Sequence, residues 1–250
     1  MDLIGTSYSP YGPSQWLMWL VSAIGVAVLI AVGRRTRGTV AATRLCQGFA
    51  VVLFGLSLIN LLVEVWPANF ALDRSLPLQF SDALRFVAAY ALWSRRRWAF
   101  TITYYWGLTL NSQSLLTPNL HYALAPWYDF SAYWSLHILV LWATVLLTWG
   151  LGGRPTWRSY RFAVLVTVGW AALAFCVNLV AGTDYGFLNR KPDSPSALDY
   201  FGGWPFYLLV EFVAMIIIWA LITWPWTRRK LDPPTDDARP QSVGQGGRPD

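Results

Sequence analysis

L-P-L-Q-F-S-D-A-L-R-F, residues 76–86, is the stretch whose reading decides the fold. It opens a hydrophobic segment, yet it carries Gln79, Ser81, Asp82 and Arg85 within about two helical turns. At 100° per residue, with Ser81 as zero, Arg85 falls at roughly 40°, Asp82 at roughly 100° and Gln79 at roughly 160°. Leu76, Phe80, Ala83, Leu84, Val87 and Ala91 fall on the other side, at roughly 200–300°. A helix with such a polar face is expensive in lipid, so that face must look into protein or into a wet cavity.

The rest of the chain puts this segment in a membrane. Of 250 residues, 55% are hydrophobic and 13% are charged, against about a quarter charged in an ordinary soluble domain. The 16 Trp and 12 Tyr suit membrane–water interfaces, where amphipathic rings collect. The net charge of +6 does not point to nucleic acid, because the basic residues sit in short clusters between apolar runs. Cys46 and Cys176 lie inside apolar segments and form neither a disulfide framework nor a paired-Cys metal motif. Asp2 and the absence of Lys or Arg before the first apolar run favour a retained first span over a cleaved signal peptide.

Seven segments approach the roughly 20 residues needed to cross a bilayer: 16–32, 45–66, 76–93, 98–116, 131–150, 160–181 and 204–226. The expected fold class is all-α, a polytopic seven-helix bundle. Residues 1–15 form an outer segment, 16–227 the transmembrane domain, and 228–250 a disordered cytoplasmic tail rich in Pro, Gly, Asp and Gln. Arg34, Arg35, Arg37, Arg44, Arg95, Arg96, Arg97, Arg154, Arg158 and Arg161 all fall in odd-numbered loops. The positive-inside rule then places the N-terminus outside and the C-terminus in the cytoplasm, as an odd number of spans also requires.

Depth orders the polar residues. At about 1.5 Å per residue, Ser81, Asp82, His137 and Glu211 lie about two turns in from the outer surface. Glu64, Asn111, Gln113 and Asn178 lie near the outer ends of spans two, four and six. Taken singly, each reads as helix-packing glue. Taken together, one layer holds acid, base, hydroxyl and amide groups, and that reads as a site. Ser81 beside His137 is the minimum for acyl transfer, a hydroxyl nucleophile with a general base. Asp82, Glu64 or Glu211 is a candidate to orient His137. Asn111, Gln113 or Asn178 is a candidate donor to an oxyanion, and Arg85 a candidate holder of a lipid phosphate. Catalytic roles thus go to Ser81, His137 and Asp82, and substrate or oxyanion contacts to Arg85, Gln79, Asn111, Gln113, Asn178 and Glu211. No G-x-S-x-G elbow surrounds Ser81. One intramembrane His with scattered acids lacks zinc spacing, so no metal and no cofactor are expected. A transporter or scaffold remains the alternative, and the expected partners are membrane lipids.

Several motifs carry a resemblance: L-P-L-Q-F-S-D at 76–82, Y-Y-W-G-L-T-L-N-S-Q-S-L-L-T-P at 104–118, the span-five His137, T-D-Y-G-F-L-N-R-K-P at 183–192, and L-D-Y-F-G-G-W-P-F-Y at 198–207. Together they resemble bacterial YwaF-type integral membrane proteins of the plasma membrane. That family is distantly similar to eukaryotic multipass acyltransferases that remodel ether phospholipids and to androgen-induced-type hydrolases of fatty-acid esters. The resemblance implies an intramembrane nucleophile at Ser81 and a histidine at His137. This chain has Phe80-Ser81 where the family pattern has Leu-Cys, and Gln79 where His is frequent. A serine needs more help from its base than a thiol does.

Overall fold

The computed structural model describes residues 8–192 and 197–228, and these residues form helices and loops with no strand. The expected cytoplasmic tail therefore lies, all but Arg228, outside the described residues. The helices are α1 (Pro13–Thr36), α2 (Val40–Val65), α3 (Phe80–Ser94), α4 (Arg97–Leu108), α5 (Leu110–Leu116), α6 (Pro126–Val145), α7 (Trp157–Ala181) and α8 (Phe206–Thr227). A π-helical turn, Leu146–Gly150, prolongs α6. Counting that turn, five helices are long and apolar enough to span a membrane: α1, α2, α6, α7 and α8.

The two other expected spans differ from a simple hydropathy reading. α3 begins at Phe80 rather than at residue 76 and has 15 residues, about 22 Å, short of a bilayer core of roughly 30 Å. Residues 76–79 are held off helical geometry, with Leu76 N–H donating to Tyr185 Oη at 3.1 Å. The fourth span is interrupted at Thr109 (φ −114°, ψ −69°) into α4 and α5. Thr109 Oγ1 donates back to Tyr105 O at 2.6 Å and accepts from Trp219 Nε1 at 3.0 Å. Back-bonding of this kind, with a side chain inserted from another helix, is a known cause of helix breaks.

α3 sits at the centre, packed on α2, α4 and α6. Its apolar side, Leu84, Ala88, Ala91 and Leu92, is buried in the main core with Leu53, Tyr105, Val140 and Leu146. Its polar residues Asp82 and Arg85 are buried as well, while Tyr90 and Trp93 nearer its C-terminus are exposed. By contrast α1, α2, α7 and α8 present rows of exposed apolar side chains, such as Leu165, Leu173, Leu179 and Val180 on α7. That outward apolar skin is what a lipid-facing surface requires.

The basic loops cap carbonyls and hydroxyls at one end of the bundle. Arg37 Nη2 donates to Gly150 O at 2.9 Å, Arg95 Nη2 to Ala42 O at 3.3 Å, and Arg97 Nη2 to Thr156 Oγ1 at 3.1 Å. At this end α1 closes on the π-helical turn. A Cβ on Gly33 would come within 2.7 Å of Gly150 Cα, so no larger residue fits there without moving a backbone.

Candidate functional site

At the opposite end, α2, α3, α5 and α6 surround a cavity of about 430 Å³. α2 contributes Asn60 and Glu64, the start of α3 contributes Gln79, Ser81, Asp82 and Arg85, α5 contributes Asn111, and α6 contributes Tyr128, Tyr133 and His137. The mouth is formed by Arg74 and by the loop carrying Asn119 and His121. Among the described residues, no three His, Cys, Asp or Glu side chains converge as a metal would require.

His137 is fixed by Asn111 through two bonds. Asn111 Nδ2 donates to the His137 carbonyl oxygen at 3.0 Å, and Asn111 Oδ1 lies 2.8 Å from His137 Nδ1. A carbonyl oxygen only accepts, so the first bond fixes which way the amide points. Oδ1 then faces Nδ1, and Nδ1 must carry the proton. In the neutral ring this leaves the lone pair on Nε2, the edge not used by Asn111. The Tyr133 ring lies 4.5 Å from the imidazole, and Tyr133 Oη donates to Ser114 O at 2.8 Å, holding the wall behind it. Asn111 therefore spends its amide on the histidine. It is not a free oxyanion donor, and none of the acids Asp82, Glu64 and Glu211 hydrogen-bonds His137.

Asp82 and Glu64 serve another group. Arg85 Nη2 lies 3.3 Å from Asp82 Oδ1 and 3.9 Å from Glu64 Oε2. Glu64 Oε1 accepts from Asn60 Nδ2 at 2.8 Å, and Asn60 Oδ1 accepts from Tyr128 Oη at 3.1 Å. The chain Tyr128–Asn60–Glu64–Arg85–Asp82 links three helices along one wall of the cavity. Asn60, Tyr128 and Tyr133 had no place in the sequence reading. The Asn60–Glu64 spacing of four, which puts both on one face of α2, was the available signal.

Ser81 lies in the first turn of α3, one turn before Arg85, and its Oγ has no hydrogen-bond partner among the described residues. The N-terminus of α3 carries no side-chain cap, so its first backbone N–H groups point out of the helix toward this end. Gln79, the residue before the helix, accepts from Gly186 N–H at 3.0 Å through its Oε1. The loop between α7 and α8 thereby tethers the start of α3.

Three of the expected site residues are elsewhere. Gln113 is exposed on α5 and does not line the cavity. Asn178 is buried, but both amide atoms bind the loop between α7 and α8: Nδ2 donates to Tyr185 O at 3.0 Å, while Oδ1 accepts from Thr183 Oγ1 at 2.9 Å and from Tyr185 N–H at 2.8 Å. Here packing glue is the correct reading. Glu211 lies on α8 away from the cavity lining. In the same loop, burial holds Asp184 above the usual carboxylate range, offset by N–H donation from Asn189 and Arg190.

Cys176 is exposed on α7 and Cys46 is buried at the basic end. Neither borders the cavity.

No curated protein and no solved structure matches the chain. The model described as the TMEM164 family matches residues 10–223, well over half of the sequence. The chain belongs to the TMEM164 family, a family of membrane proteins.

Proposed function

We propose that this TMEM164-family membrane protein is a lipid acyl enzyme, an acyltransferase or ester hydrolase, working from the outer half of a bacterial plasma membrane. The observation that carries the reading is the Asn111–His137 clamp in a cavity that Ser81 also lines. An asparagine that fixes a histidine with its proton on Nδ1 presents Nε2 as a base, the same logic as in Ser/His and Cys/His acyl enzymes. The resemblance of 183–192 to YwaF-type proteins supports the reading from the sequence side, while 76–82 departs from their pattern at Gln79 and Ser81.

The chemistry follows from these roles. Ser81 Oγ attacks the ester carbonyl carbon while its proton passes to His137 Nε2, and the carbonyl π pair moves onto oxygen. Collapse of that intermediate breaks the acyl C–O bond, and the leaving alkoxide takes the proton back from His137. An acyl-Ser81 ester remains. Water releases it as a fatty acid, or an acceptor hydroxyl carries it away, with His137 again as base.

A serine-reactive alkyl phosphonate probe tests this. Wild-type protein in detergent or nanodiscs is expected to take up one label on Ser81. Ser81→Ala is expected to lose it completely, and His137→Ala to lower its rate by roughly 10²–10⁴-fold. Mass spectrometry after incubation with phospholipid vesicles is expected to find the acyl adduct on Ser81. Equal labelling of all three proteins, with no adduct, returns the cavity to the transporter or scaffold reading.

A further inference from the structure

Arg85 is 5% exposed, yet its Nε and Nη2 have no hydrogen-bond acceptor among the described residues. A buried guanidinium seldom leaves donors unused, because stripping them of water without a new partner is costly. Asp82 and Glu64 lie near enough to balance its charge but do not occupy those donors. Arg85 lines the cavity, and the unmet need is for an acceptor atom arriving there with a ligand.

The surroundings narrow which acceptor. One guanidinium stands with two carboxylates within 4 Å, so the cluster has no surplus positive charge. A phosphate, carrying its own negative charge, would enter a cavity lined by three carboxylates, Glu64, Asp82 and Asp129, against two cations, Arg85 and Arg74. A neutral carbonyl oxygen needs donors and no net charge, and unpaired donors are what Arg85 offers. Arg85 also stands four residues after Ser81, hence on the same face of α3 and one turn deeper.

We propose that Arg85 Nε and Nη2 receive the carbonyl oxygen of the acyl group that Ser81 attacks, so the cavity reads the acyl end of its ligand rather than a phosphate. The proposal rests on the acyl-enzyme reading and gives that site its oxyanion donor. As Ser81 Oγ bonds the carbonyl carbon, the oxygen gains the electron pair, and the unpaired guanidinium donors line the same cavity. Preoriented donors of this kind act where charge develops. Asp82 and Glu64 then keep the guanidinium in place.

The test uses two unreactive ligands on the full chain in detergent. Hexadecanamide offers a neutral carbonyl without phosphate, and hexadecylphosphocholine offers a phosphate without a carbonyl. The key variant is Arg85→Gln with Asp82→Asn, so that no carboxylate is stranded; Arg85→Lys supplies a second, charge-preserving variant. Hexadecanamide is expected to bind wild type and Ser81→Ala alike, and to lose tenfold or more in affinity to the double variant. Arg85→Lys is expected to fall between, and hexadecylphosphocholine to bind all four proteins equally. Loss confined to the phosphocholine makes Arg85 a phosphate clamp and overturns the proposal. So do equal losses for both ligands, unchanged amide affinity in both Arg85 variants, or no amide binding to wild type. The readout needs no turnover, so an absence of Ser81 labelling overturns the acyl-enzyme reading while the amide result is judged separately.

Discussion

A lone histidine inside a membrane helix has two ring nitrogens and no preference between them until a neighbour chooses. Asn111 chooses, because its amide is first oriented by the His137 carbonyl. Asn111→Ala removes both bonds and lets the ring exchange tautomers and rotate. The expected outcome is a fall in the Ser81 labelling rate of about 10²-fold, with KM for a model ester little changed and the protein still folded. A KM rise with an unchanged limiting rate would make Asn111 a substrate contact instead. The sequence marked Asn111 as a candidate oxyanion donor, whereas its amide bonds His137 at both ends. On paper an amide can be an oxyanion donor or a clamp, and only the contact between residues 26 apart in the chain decides. Gln113 and Asn178 show the same limit, since depth in a span says nothing about which way a side chain turns.

At the scale of elements, the loop between α7 and α8 and the start of α3 are one construction. Asn178 gathers Thr183 and Tyr185, Tyr185 Oη accepts from Leu76 N–H and donates to Leu72 O, and Gly186 N–H reaches Gln79. That strap pairs backbone groups of the segment before α3 and is why α3 starts late. Asn178→Ala leaves the buried Tyr185 N–H and carbonyl without these partners and is expected to cost about 1–3 kcal/mol, read as a lowered Tm in detergent. Gly186→Ala acts on the same strap by a different cause. Its φ of +72° is a left-handed conformation, and an added Cβ would lie 2.4 Å from the Trp170 ring. The expected penalty is about 1–2 kcal/mol from the backbone alone, plus displacement of the Gln79 tether, so labelling at Ser81 should slow as Tm falls. A Tm loss with an unchanged labelling rate would separate the strap from the site. Hydropathy found α1, α2, α6, α7 and α8 because long apolar runs state their own length. It overran α3 and missed the break at Thr109, because tertiary hydrogen bonds set both ends.

Across the whole molecule, the two ends differ in chemistry. One end carries arginines that bond helix-terminal carbonyls and a cap hydroxyl. The other carries the polar cavity and its loops. Charge in the loops was legible from sequence alone, because arginine clusters need no contact to be counted. The gathering of Ser81, Asp82, Arg85, Asn111 and His137 around one cavity was legible only as a common depth. The polarity of this arrangement decides which leaflet supplies the acyl ester. If the basic end faces the cytoplasm, the cavity opens toward the outer leaflet. Two cysteine probes in a background of Cys46→Ala and Cys176→Ala decide it. Ala123→Cys lies exposed beside the cavity mouth, and Arg158→Cys lies exposed at the basic end. In intact cells an impermeant maleimide is expected to label the cysteine at 123 and to spare the one at 158 until the membrane is permeabilised. The reverse pattern would put the cavity in the inner half of the bilayer. The acyl donor would then come from the cytoplasmic leaflet, and every placement argued from loop charge would turn over with it.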